Sequence, residues 1–284
     1  MDRPPRALLG AAVLALASVL TGCSLSGPGA ATGGPPGAAE LPYEHVHGLG
    51  VDPADGAVYV ATHDGLFRID ANGLQRAGTT GRDLMGFTIT GPGTFLSSGH
   101  PGPGEQVAAP LGMLQSIDAG TSWTTLGLAG EVDFHALEVS AGLVFGYDAT
   151  NQVLRVSDDG GRSWQTRAAL QALDIAADPA NPTVVLATVE GGVAVSRDGG
   201  RSFAAPTGPQ LAYLSWAADG TVYGLGVEGS VFASGDGGAS WTATGIVPGG
   251  RPQALTAADG ALLAATAGGV YRSGDRGATF VPIT

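Results

Sequence analysis

Lysine is absent from this chain of 284 residues; all 13 basic side chains are arginine, set against 25 acidic ones. The formal net charge of −12 argues against nucleic acid as a partner and against electrostatic docking on anionic lipid, because both need clustered cations. An acidic surface suits cations as partners and keeps an exported domain soluble. Cysteine occurs once, at Cys23, so the folded part has no internal disulfide. Aromatic residues make up only 6%, which leaves few for a sugar-stacking cleft. The longest apolar run, Ala7–Leu20, is interrupted by Gly10 and Ser18 and falls short of the ~20 residues that span a bilayer. No stretch carries the 3.6-residue apolar period of an amphipathic helix. There is no Gly-x-Ser-x-Gly nucleophile elbow, and no glycine loop that follows a strand and opens a helix to cradle phosphate.

The N-terminal residues read as an address. Arg3 and Arg6 precede the apolar run, and Leu20-Thr21-Gly22-Cys23 follows it. This order of charged, apolar and small residues is that of a secretory signal over residues 1–22. The last four residues resemble the bacterial lipobox, which implies lipidation of Cys23 and an extracytoplasmic, membrane-anchored protein. Two or three acyl chains hold a protein firmly where one does not. Residues 23–40 are rich in Gly, Pro and Ala and read as a flexible tether behind that anchor. Removing residues 1–22 takes away Arg3, Arg6 and Asp2 and moves the net charge from −12 to −13.

From residue 41 onward one phrase recurs five times: Ser-x-Asp-x-Gly-x-Ser/Thr-Trp/Phe. It begins at Ser116, Ser157, Ser196, Ser234 and Ser273, at intervals of 41, 39, 38 and 39 residues. A fixed period near 40 marks a stacked or radial repeat. Ahead of each copy lies a pair of β-rich runs, as in Leu143–Ser157 and Thr221–Ser234, preceded by a shorter apolar run such as Phe134–Val139 or Leu211–Trp216. A sixth unit at the start, with Val46–Val51 and Ala57–Ile69, has the runs but lacks the phrase. Six units of three or four strands predict an all-β, six-bladed β-propeller over residues 41–284. Whether its first blade is closed by an N-terminal or a C-terminal strand stays open. The phrase resembles the Asp-box, or BNR repeat, of sialidases, sortilin-type receptors and bacterial exported lipoproteins labelled glycosyl hydrolases. That resemblance covers residues 43–284. It implies that Asp118, Asp159, Asp198, Asp236 and Asp275 are structural, tying the turn between the third and fourth strands of a blade, while each box aromatic packs between blades.

Chemistry is therefore sought where the repeat is broken. Aligned by unit, His45, Asp83 and Asp133 open the inner runs of units one to three, and His47, Met85 and His135 follow two residues later. His63 and His100 fall in the loops joining the second and third runs. All five histidines thus belong to units one to three and to one face, while units four to six place small, apolar or Glu residues there. Imidazole, thioether and carboxylate together suit a late first-row metal, copper outside the cytoplasm or zinc if Met85 only packs. The expected ligands are His45, His47, Asp83, Met85, His100 and His135. The insertion Gly99–Leu111 is placed where it could fold over the channel mouth.

Two other functions are weighed. A sialidase would need three arginines around the substrate carboxylate, but only Arg82 and Arg251 fall near this face, and Arg68-Ile69-Asp70 lacks the proline of the family's first arginine motif. Another glycoside hydrolase would need only two carboxylates, for which Asp83, Asp148, Glu190 and Glu228 are the candidates, with Tyr147 beside Glu190 as an arguable nucleophile pair. A platform for protein partners would need neither metal nor turnover. The expectation is a monomeric, lipid-anchored propeller that binds a ligand, with a metal ion foremost and a glycan or protein as alternatives, and no nucleic acid.

Overall fold

The computed structural model describes residues 42–284; the expected signal segment, Cys23 and the tether lie outside the described residues. Those described form six antiparallel sheets and no helix. Each sheet is a meander in sequence order, the blade of a six-bladed β-propeller. The inner strands are Val46–Val51, Asp83–Gly91, Phe134–Ser140, Ala172–Ala177, Leu211–Trp216 and Pro252–Ala258, each within two residues of an apolar run of the sequence. Second strands such as Val58–Thr62 and Val222–Gly226 are buried at every position, because a neighbouring blade covers each face.

Outer strands such as Gly73–Ala77 and Thr124–Gly127 are mostly half-buried or exposed. They carry no apolar alternation, and for that reason the sequence does not mark them individually. Blade four has three strands, and only a single bridge between Val193 and Thr207 stands where its fourth would be.

All five boxes have one geometry. In the second blade, Ser116 Oγ donates to Asp118 Oδ1 (2.8 Å), the Gly120 amide donates to Ser116 Oγ (2.9 Å), and the amide and hydroxyl of Ser122 donate to the two Asp118 oxygens (2.9 and 2.6 Å). The same bonds recur around Asp159, Asp198, Asp236 and Asp275. They hold these carboxyls below their ordinary range, Asp236 and Asp275 to about 2.

The core is divided into six apolar clusters, one per blade interface. Trp123, Trp164, Phe203, Trp241 and Phe280 each enter the cluster between their own blade and the one before. Blade one has no box; its third and fourth strands meet in a two-residue turn in which the Asn72 amide donates to Asp70 Oδ1 (2.7 Å). Its missing aromatic is replaced from upstream. Tyr43 lies buried between blades six and one, 5.0 Å from the Phe67 ring, in a cluster with Val46, Leu49, Leu263 and Val270. Across the same seam the Val46 amide donates to Gln253 Oε1 (3.1 Å). Packing thus closes the ring. Blade one consists only of N-terminal strands and blade six only of C-terminal ones, so neither terminus completes the other's sheet.

Candidate metal centre

Every inner strand begins with a bulge. The pairing of inner with second strand slips at His47, at Met85–Gly86, and at His135, Leu173, Ala212 and Gln253. A bulge inserts an unpaired residue and re-aims its side chain. Here it turns six equivalent residues toward the propeller axis, where they line a cavity of about 390 Å³ at the channel mouth. Beneath it the channel continues between the inner strands as a second cavity of about 270 Å³. His47, His135, Leu173 and Tyr213 line both cavities. The equivalence of His47, Met85 and His135 is structural as well as sequential.

His63 sits in the two-residue turn Thr62-His63-Asp64-Gly65, stapled by Thr62 Oγ, which donates to the Gly65 carbonyl (2.8 Å) and accepts from the Asp64 amide (3.0 Å). Gly65 has φ +112°, and a Cβ there would lie 2.7 Å from the Thr80 carbonyl oxygen, so no other residue fits this turn. The turn carries His63 over His47, with ring centroids 4.4 Å apart. Asp83 enters from blade two. It pairs across the sheet with His100, and Gly99 before His100 has φ +140°, where a side chain would overlap the Asp83 carbonyl.

Three atoms then converge: His47 Nε2, His63 Nδ1 and Asp83 Oδ1. The two nitrogens are 3.3 Å apart, and they stand 3.3 and 3.0 Å from the oxygen. Among the described residues this is the group of three whose ligand atoms could share one ion. Asp83 Oδ1 is sealed from solvent, yet neither nitrogen directs an N–H at it with hydrogen-bond geometry. Burial works to raise the Asp83 carboxyl, but the rings of His47 and His63 together outweigh it and hold the group below its ordinary value.

The cluster extends into blade three. His100 Nδ1 is 3.5 Å from Asp83 Oδ2, and its Nε2 is 3.7 Å from Asp133 Oδ2. His135 Nε2 lies 2.9 Å from the same Asp133 oxygen, and Asp133 Oδ1 is buried without a partner. Histidine and aspartate thus alternate along one arc of the face.

His47 and Asp83 meet in the triad, while His100 and His135 stand along the arc, reaching it through Asp83 and Asp133. His45 packs its ring 4.7 Å from His47 and 5.4 Å from His63; burial first, then the charges of His47, His63 and Arg251, lower its pKa to about 4. It is a neutral imidazole at pH 7. Met85 lines the mouth cavity beside His47. His63, assigned to this face by its turn but left out of the expected ligands, completes the triad. The signal that could have found it was its turn position beside His47 within one blade.

The insertion after His100 does not cover the mouth: none of residues 101–112 lines that cavity. Arg82 holds it aside through Glu105 (2.9 Å). Asp148 is fully buried and bound by Arg155 Nε (2.8 Å) and by Asn151. Tyr147 lies buried in the core between blades three and four, in a cluster that includes Val189. Glu190 and Glu228 occupy exposed hairpin turns of blades four and five.

No protein-family model matches the chain, and no curated protein sequence does. Solved structures do. An ancestral GH74 enzyme superposes with a TM-score of 0.56 at 16% identity, over 81% of this chain and 36% of its own. The GH74 xyloglucanase from Xanthomonas campestris gives 0.55 at 18%, over 86% and 46%. A catalytically inactive virginiamycin B lyase from Staphylococcus aureus, solved with quinupristin, gives 0.58 at 13%, over 86% and 87%. What is shared is the propeller. The chain spans less than half the length of the two GH74 enzymes, and at such identity the likeness concerns fold alone.

Proposed function

We propose that the histidine face is a divalent-metal site and that the protein is a metal-binding propeller of the Asp-box kind, held outside the cytoplasmic membrane by lipid on Cys23. The observation that carries this reading is the near-equilateral triangle of His47 Nε2, His63 Nδ1 and Asp83 Oδ1, with edges of 3.0–3.3 Å. A tetrahedral ion with bonds of about 2.0–2.1 Å sets its ligand atoms roughly 3.3 Å apart, so the donors match zinc in kind and in spacing. Copper remains the competitor because imidazole suits it too and Met85 is at hand. Three protein ligands leave a coordination position open, as in zinc sites that bind substrate or activate water. His100, Asp133 and His135 are then the groups that orient Asp83 and hydrogen-bond whatever takes that position.

The test is metal analysis of the full-length chain, purified in detergent without a polyhistidine tag and offered zinc and copper separately. Near-stoichiometric zinc is expected in the wild type and in His45→Ala, and none in His47→Ala/His63→Ala. A folded wild type that retains neither metal overturns the reading. The second reading, glycoside hydrolysis on the fold shared with the GH74 enzymes, has Glu190 and Glu228 as its unengaged carboxylates. It is checked by turnover of xyloglucan, which the metal reading does not require. A protein-assembly role would show neither metal nor turnover.

A further inference from the structure

The six bulge residues divide the mouth cavity into unlike halves. Blades one to three contribute His47, Met85 and His135; blades four to six contribute Leu173, Ala212 and Gln253. Val227, Tyr213 and Arg251 complete the second half. Leu173 and Val227 are 61% and 52% exposed, so apolar surface faces the cavity instead of being packed away. Arg251 differs from Arg82, the other arginine of this face. Glu105 neutralises Arg82, whereas Arg251 makes no ion pair among the described residues. Its charge is nevertheless felt at both His45 and Tyr213.

Charge balance selects the ligand. A divalent ion on the triad is offset by Asp83 and Asp133, and Arg251, without an ion-pair partner among the described residues, stands beside an apolar wall. A guanidinium binds a carboxylate as a two-point fork, while a phosphate dianion would bring a second charge that this half of the cavity does not match. We propose that the mouth cavity binds a small monocarboxylate with an apolar body, its carboxylate on Arg251 and its body against Leu173 and Val227. The volume is at the small end of the range for ligand pockets. The proposal rests on the metal reading for its charge balance.

The experiment titrates zinc-loaded, full-length protein in detergent with phenylacetate and with phenylacetamide, its uncharged isostere. The acid is expected to bind about tenfold or more tightly than the amide, the effect of one charge-assisted hydrogen-bonded pair. Arg251→Gln is expected to abolish that preference without changing zinc content, and Leu173→Ser to weaken both ligands. Equal binding of acid and amide by the wild type, binding of neither, or a preference that survives in Arg251→Gln overturns the proposal. Zinc measured on the same samples separates the two readings. Zinc bound without discrimination refutes the anion pocket alone; discrimination without zinc refutes the metal site and supports the pocket.

Discussion

Two single residues show how burial redirects ordinary side-chain chemistry. Tyr43 occupies the seat that a box aromatic fills at the other interfaces, but its hydroxyl is buried with no partner. An unsatisfied hydroxyl costs about 1–3 kcal/mol, so Tyr43→Phe is expected to raise Tm, whereas Tyr43→Ala should cost about 3–5 kcal/mol through the cavity it leaves. Burial also pushes the Tyr43 phenol up to about 12. The folded state holds that proton more tightly than the unfolded chain, so wild-type stability from this group is complete below pH ~10 and is lost as pH rises toward 12. The phenylalanine variant should lack that loss, which urea melts at pH 9 and 11 would read. Asp174 lines the channel near Glu138. Burial raises it to about 7, against the Leu214 and Ile175 amides that work to lower it, and burial raises Glu138 as well. A raised carboxyl favours the fold below pH ~4 and loses that contribution as pH climbs to 7. Asp174→Asn should therefore stabilise the protein at pH 8 and hardly at all at pH 4; a gain of the same size at both pH values would count against this account.

At the scale of the element, the repeated Ser-x-Asp-x-Gly turn and the inner-strand bulge divide the work. The box closes the outer hairpin with bonds that converge on one carboxylate and on the serine hydroxyl that donates to it. Asp236→Ala removes the acceptor for Ser240 and Ser234 and is expected to lower Tm by about 2–4 °C at pH 6. Because the Asp236 pKa is depressed to about 2, its contribution is present above pH ~4 and fades as pH falls toward 2. The Tm difference between variant and wild type should shrink between pH 5 and pH 3. The boxes were legible because Ser, Asp, Gly and an aromatic at fixed offsets each serve one turn. The bulges were not: nothing in Glu44-His45-Val46-His47-Gly48 distinguishes a bulged strand from a regular one. Whether His47 faces the channel or a neighbouring blade depends on that one-residue slip.

For the molecule as a whole, the triad lies next to the seam that closes the ring. His47 and His63 come from blade one and Asp83 from blade two, so a bound ion would add a tie between two blades that already meet through packing and through the Gly93 amide, which donates to the Asp52 carboxylate. At a hundredfold excess over Kd, zinc is expected to stabilise the fold by about 2.7 kcal/mol, a Tm rise of about 5–10 °C. The rise should be absent in His63→Ala and reversed by chelator. A Tm that zinc leaves unchanged in the wild type would remove the ion from any role in ring stability.

The sequence by itself determined the repeat, the six inner strands, the box turns and the gathering of histidines into the first three units, because each is a local or periodic pattern that residue types impose. Only the tertiary structure decided that packing around Tyr43 closes the ring, that Asp148 turns inward to Arg155, and that His63 meets His47 and Asp83. Those are side-chain contacts across strands and blades rather than patterns along one strand. Their geometry is set by bulges, turns and blade packing acting together, and no single stretch of sequence carries it.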